Sequence, residues 1–204
     1  VKCLAYTGDL ENFVPISAGL DGRIISWNMR NGKAVNAVQV HDGAANTMFL
    51  SGYFRSLVTA GADNLVKLWD PFTFKLKATL TGHTDEITTA TSFGRFIATG
   101  SADSKVKLWN PLINQEPRFS RSHTPSSSPS PSRPSPSPSP SPSPTGAAGT
   151  HDAGTEALEL PLCRQTLTGH TLQVTDMCEL SEFSLATSGW DSTVRLWQIS
   201  EDFY

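Results

Sequence analysis

The chain has 204 residues, 38% of them hydrophobic, enough for one ordinary domain with a real core. Its formal net charge is -3 and only 17% of residues are charged, which argues against the basic footprint of a nucleic-acid binder. No apolar run is long enough to span a bilayer, and no signal peptide is visible. The three cysteines, Cys3, Cys163 and Cys178, are odd in number and fit no metal-ligand spacing, so they read as free thiols in a reducing compartment, cytoplasm or nucleus. The first residue is Val1 and not Met, so the chain is expected to begin inside a longer protein.

Taken in chain order, the elements repeat. The first candidate strand, Val1–Tyr6, precedes the run VPISAG, then the segment Asp21–Trp27 (DGRIISW) and a further strand at Ala34–Val40. The second unit has strands at Thr47–Leu50, LVTAG, Asp63–Trp69 (DNLVKLW) and Lys75–Leu80. The third has Ile87–Ser92, IATG and Asp103–Trp109 (DSKVKLW). After an interruption come Cys163–Leu167, Val174–Leu180, LATSG and Asp191–Trp197 (DSTVRLW). Each of the four Asp residues stands six places before a Trp, and Trp27, Trp69 and Trp109 are spaced by 42 and 40 residues. Period-two alternation rich in Val and Ile argues strand, and an Asp-containing turn between two such runs argues a hairpin. Four short strands per roughly 40 residues is the period of a propeller blade.

Around these hairpins stand Gly82-His83, Gly169-His170 and Trp69-Asp70, with Val40-His41, Trp27-Asn28, Trp109-Asn110 and Trp197-Gln198 as variants. In these residues the chain resembles the WD40 repeat family. The resemblance implies an all-β fold: a WD40 β-propeller fragment of about four four-stranded antiparallel blades, the last incomplete. Residues 1–111 would hold three blades, the first truncated at its N-terminal side. Residues 112–161 would be a disordered Ser/Pro-rich insertion before the outer strand of the third, and 162–204 that strand and the fourth. The family usually closes its ring with about seven blades, so the parent protein is expected to have more. An opened ring would leave exposed faces and edges, making the isolated chain marginal or aggregation-prone.

The resemblance also implies a structural tetrad in each unit: His41, Thr59, Asp63 and Trp69; His83, Thr99, Asp103 and Trp109; His170, Thr187, Asp191 and Trp197; and, lacking its His, Ser17, Asp21 and Trp27. Ser101 or Ser188 could replace the nearby Thr as the hydroxyl. The indole N–H is a donor that needs an acceptor when buried; a hydroxyl can accept from it and donate to His, and His can donate to Asp. Removing the Asp would leave a buried His unpaired, at about 1–3 kcal/mol. The same residue types make a hydroxyl-nucleophile triad, but an enzyme needs one such site and a repeat architecture needs one per unit.

From Trp to the next His is 14 residues in two units and 61 between Trp109 and His170, an excess of 47. The excess centres on the Ser-Pro tract from Ser128 to Pro144, which cannot build a core and should be extended. Thr124, Ser128, Ser130, Ser135, Ser137, Ser139, Ser141 and Ser143 precede prolines and are candidate sites for proline-directed phosphorylation. Neutral expansion in a permissive loop is the simpler reading.

The residues before each Asp, Leu20, Ala62, Ala102 and Trp190, should lie on the loop rim in this family, with Trp190 the candidate partner-binding anchor and Asp42 and Asp85 polar neighbours. Packing of Trp190 against a blade is the competing reading. No HExxH, CxxC pair or Gly-rich phosphate loop is present, so no catalytic residue, metal or cofactor is expected. The expected function is a non-catalytic protein–protein interaction scaffold binding other proteins or peptides, without nucleic acid or membrane span. The alternative is a substrate-recognition subunit of a multi-subunit enzyme such as a ubiquitin ligase.

Overall fold

The computed structural model describes residues 1–8, 14–111, 158–160 and 163–200, the segment 158–160 through its backbone. No helix occurs among the described residues. The first sheet takes β1 (Cys3–Thr7), β2 (Val14–Ala18), β3 (Arg23–Trp27) and β4 (Ala34–Gln39) in that order, all antiparallel. The second takes β5 (Ala45–Ser51), β6 (Ser56–Gly61), β7 (Val66–Trp69) and β8 (Leu76–Leu80). The third takes β9 (Ile87–Phe93), β10 (Phe96–Ser101) and β11 (Lys105–Trp109). β12 (Leu158–Leu160) joins the second sheet beside β8, while β13 (Cys163–Thr168) closes the third beside β11. The last sheet has β14 (Val174–Ser181), β15 (Ser184–Gly189) and β16 (Val194–Gln198).

The antiparallel blades and their strand bounds agree with the sequence pattern to within two residues at most ends. One element differs. Residues 158–160 were expected to be part of the disordered insertion, yet they form β12, parallel to β8. The local sequence Leu-Glu-Leu alternates apolar and polar, a period-two signal too short to register alone.

The blades face one another through apolar clusters that each belong to two sheets. Ile16, Ile24 and Val40 of the first sheet meet Met48, Leu57, Trp69 and Phe74 of the second. Val58, Val66 and Leu68 meet Ile87, Ile97 and Trp109 of the third, and Phe93, Val106 and Leu108 meet Val174, Met177 and Leu185 of the fourth. Alternation explains this: in β7 and β11 one parity of side chains points to the following sheet and the Trp parity to the preceding one. Ser26 stands where Leu68 and Leu108 stand in later repeats, and its interface is the one that receives Phe74 from the β7–β8 turn.

The outward faces of this stack show the same positions without cover. Leu4, opposite Ser17 as Met48 is opposite Thr59, is 70% exposed against 5% for Met48. Leu196, opposite Ala186 as Leu108 is opposite Ala98, is 73% exposed against 1%.

The innermost strands β1, β5, β9 and β14 lie side by side, and each of the last three has a one-residue bulge near its start. The extra residues are Asn46, Thr88 and Thr175. The Asn46 amide donates to the Ile87 carbonyl at 2.9 Å, and the Thr88 hydroxyl donates to the Val174 carbonyl. The bulge turns a polar side chain toward the next blade, which stitches neighbouring inner strands where apolar packing thins.

Candidate functional site

The loop end that carries the Asp turns is built by three complete hydrogen-bond relays. In the second blade the Trp69 indole donates to Thr59 Oγ1 at 2.9 Å. The hydroxyl donates to His41 Nε2 at 2.8 Å, and His41 Nδ1 donates to Asp63 Oδ1 at 2.8 Å. The third blade repeats this with Trp109 to Thr99, Thr99 to His83 and His83 to Asp103, all at 2.8 Å. The fourth has Trp197 to Thr187 at 2.8 Å, Thr187 to His170 at 2.9 Å and His170 to Asp191 Oδ2 at 2.9 Å. In the first blade Trp27 donates to Ser17 Oγ at 2.9 Å, while Asp21 stays at the surface and accepts from the Arg23 amide.

Local chemistry places each member. The Asp accepts the amide two residues on, as Asp103 does from Lys105 at 2.9 Å, which fixes the hairpin turn. The following residue is then left-handed: Asn64, Ser104 and Ser192 have φ of 65°, 61° and 62°. Gly22 has the same role at 70°, and a Cβ there would lie 2.2 Å from the His41 carbonyl oxygen, so only glycine fits. The other carboxylate oxygen reaches the histidine loop, where Asp103 accepts the Thr84 amide at 3.2 Å and Asp191 the Thr171 amide at 3.0 Å. The glycine before His83 and His170 also has a reason. A Cβ on Gly82 would approach the Trp109 ring to 3.2 Å, and one on Gly169 the Trp197 ring to 3.0 Å. Ser101 and Ser188 do not enter the relays: Ser101 bonds Asp85 and Asp103 backbone, and Ser188 bonds Thr175.

Burial alone would raise the Asp63 carboxyl pKa. The His41 hydrogen bond and charge, with Lys67 at 3.2 Å, more than offset it and bring the value from 3.8 down to about 2. Asp103 is likewise lowered to about 2: burial opposes, and His83 and the Thr84 and Lys105 amides prevail. Asp191 moves in the same direction against burial, through Thr193, the Thr171 amide and His170. A folded carboxyl with a depressed pKa stabilises the fold above its unfolded pKa, and loses that contribution as pH falls through the folded value. Stability is therefore expected to fall between about pH 4 and pH 2, by on the order of 1–2 kcal/mol for each of Asp63 and Asp103 after a discount for solvent screening, and the melting temperature falls with it. Thermal melts followed by circular dichroism across that range check this; Asp103→Asn should flatten the slope, and an unchanged slope would contradict the assignment.

The relays do not make nucleophiles. The Thr59, Thr99 and Thr187 side chains are 0%, 0% and 1% exposed, and each hydroxyl is engaged by an indole on one side and an imidazole on the other. No substrate carbonyl can reach an oxygen so enclosed. Among the described residues no group of three or more His, Cys, Asp or Glu is arranged to hold a metal ion.

The rim outside the relays is open. Trp190 is 68% exposed and Leu20 69%, while Ala62 and Ala102 are partly covered and Asp42 and Asp85 exposed. The Trp190 backbone is fixed, its amide donating to the Gln173 carbonyl at 2.9 Å, so a pinned turn presents an indole to solvent. Thr124, Ser128, Ser130, Ser135, Ser137, Ser139, Ser141 and Ser143 lie outside the described residues. The cross-blade contacts of Asn46 and Thr88 escaped the sequence reading; the available signal was a polar residue directly after the apolar start of an inner strand, as in Ala45-Asn46 and Ile87-Thr88.

The family model described as WD domain, G-beta repeat matches residues 32–70, 74–110 and 161–198. Over 82 residues the chain is 36% identical to the probable coatomer subunit beta' of Schizosaccharomyces pombe, a match covering 39% of this chain and 10% of that protein. Over 68 residues it is 34% identical to transducin-like enhancer protein 2 of Mus musculus, covering 33% and 9%. These matches span about a tenth of the length of either relative. Among solved structures, the RRP9 WD40 repeats superpose with a TM-score of 0.65 at 20% identity, covering 96% of this chain and 47% of that one. The computationally designed Ika4 protein superposes with a TM-score of 0.65 at 18% identity, covering 98% and 91%. At such identities the likeness is one of fold.

Proposed function

This chain belongs to the WD40 repeat family, and from that premise we propose that it is a non-catalytic platform that holds other proteins or peptides on the loop rim around Trp190. WD40 domains generally serve as protein-interaction scaffolds, and one relative bears the name probable coatomer subunit beta'. The observation that carries the reading is Trp190 itself, an indole 68% exposed on a turn pinned by its own amide and by the adjacent Asp191 relay. A rigid aromatic group presented this way loses little conformational entropy on binding and is a common interface anchor. The occupied Thr hydroxyls favour a structural role for the His and Asp residues over a catalytic one. The three free cysteines support a place in the cytoplasm or nucleus.

Trp190→Ala is expected to weaken partner capture about tenfold or more while moving the melting temperature by no more than a degree or two. Affinity purification with quantitative mass spectrometry, run beside thermal melts of both proteins, reads the two effects separately. Lost stability with unchanged capture would show that Trp190 is a packing residue and end the proposal.

A further inference from the structure

We infer that the outer edge of β8 is a docking edge for an extended peptide strand of apolar–acidic–apolar pattern, and that the segment Leu158–Leu160 of this chain is its resident occupant. This surface is separate from the Trp190 rim and does not depend on it.

Two observations carry the inference. First, β12 leaves the connection between β11 and β13 of the third blade yet pairs with the second. Its register on β8 is parallel, Leu158 with Ala78, Glu159 with Thr79 and Leu160 with Leu80. Second, β8 is covered where its counterparts are not. Thr79 lies opposite Lys67 as Ala37 lies opposite Ile25 and Thr166 opposite Lys107. Ala37 and Thr166 are exposed, whereas Thr79 is 5% exposed. Two of these equivalent residues are threonines, so side-chain type does not account for the difference.

An edge strand offers a row of unpaired backbone donors and acceptors, and strand addition draws its affinity from that row. Among the described residues, β12 pairs with Ala78–Leu80, three of the five residues of β8. The described resident strand is three residues long. It holds its place because it is tethered, which gives it a high effective concentration rather than a large contact. A longer peptide that pairs along all of Leu76–Leu80 competes with it by forming more main-chain bonds. The next residue in the sequence is Pro161, which has no backbone N–H to donate to a ladder.

The test uses the full 204-residue chain and a fluorescein-labelled peptide with the sequence of residues 156–160, EALEL. Fluorescence anisotropy is measured with the wild-type chain and with the triple variant Leu158→Pro, Glu159→Pro, Leu160→Pro, which keeps no N–H in this segment to pair with β8. The variant is expected to bind the peptide at least tenfold more tightly than wild type. The same peptide N-methylated at alternate backbone amides should bind neither. Equal affinity for both chains, or undiminished binding of the methylated peptide, overturns the inference. Hydrogen exchange on the wild-type chain provides a readout that needs no variant. The edge amides within Ala78–Leu80 should exchange at least tenfold more slowly than those of β4, and equal rates would count against an occupied edge.

Discussion

Trp109→Ala is expected to destabilise the protein by about 3–5 kcal/mol, the range for deleting a fully buried large side chain. Trp109 is 0% exposed and sits in the cluster formed by Val58, Val66 and Leu68 of one blade with Ile87 and Ile97 of the next. Its loss would open a cavity between two sheets and remove the donor to Thr99 at 2.8 Å, at the head of the relay that ends on Asp103. Trp109→Phe separates these contributions. It keeps most of the packing and deletes the N–H, so it should lose about 1–3 kcal/mol, less than alanine. Urea denaturation followed by far-ultraviolet circular dichroism measures both. A phenylalanine variant as stable as wild type would mean that the indole hydrogen bond contributes nothing.

The second large effect is a contrast between equivalent positions. Leu108→Asp places a carboxylate at a site 1% exposed, among Phe93, Phe96, Val174 and Leu185. An unpaired charge there should remove more than about 4 kcal/mol and leave the chain unfolded at ambient temperature. Leu196→Asp makes the same chemical change at the same register on the last blade, where the side chain is 73% exposed. It should shift stability by no more than about 0.5 kcal/mol. Comparable losses at both sites would mean that the Leu196 face is covered in solution, and equally mild effects would mean that blade-to-blade packing does not hold the fold.

How much of this was legible in the sequence depends on whether a feature repeats. The relays were legible because Asp63, Asp103 and Asp191 each stand six residues before a Trp, and a hairpin turn of fixed length enforces that distance. Strand bounds were legible because Val and Leu alternate with polar residues along β7 and β11, the two parities facing different blades. Trp190 was ambiguous, since an indole before a turn can pack or project; in the structure it is 68% exposed. The Asn46 and Thr88 contacts were hidden because an amide and a hydroxyl do the same work from one bulge position, so no common letter marks it. β12 was hidden for a different reason: among the described residues it has no counterpart in another repeat, and three residues cannot display a period.

Each relay closes within the span from a histidine to the following tryptophan: His41 to Trp69, His83 to Trp109, His170 to Trp197. Stretches outside those spans can therefore change length at their connections without breaking a relay, and the 61-residue interval from Trp109 to His170 is one of them. In genetic terms, a histidine-to-tryptophan span behaves as an indivisible cassette when coding sequence is duplicated or shuffled. The intervening spacers are where slippage and insertion can accumulate unpunished.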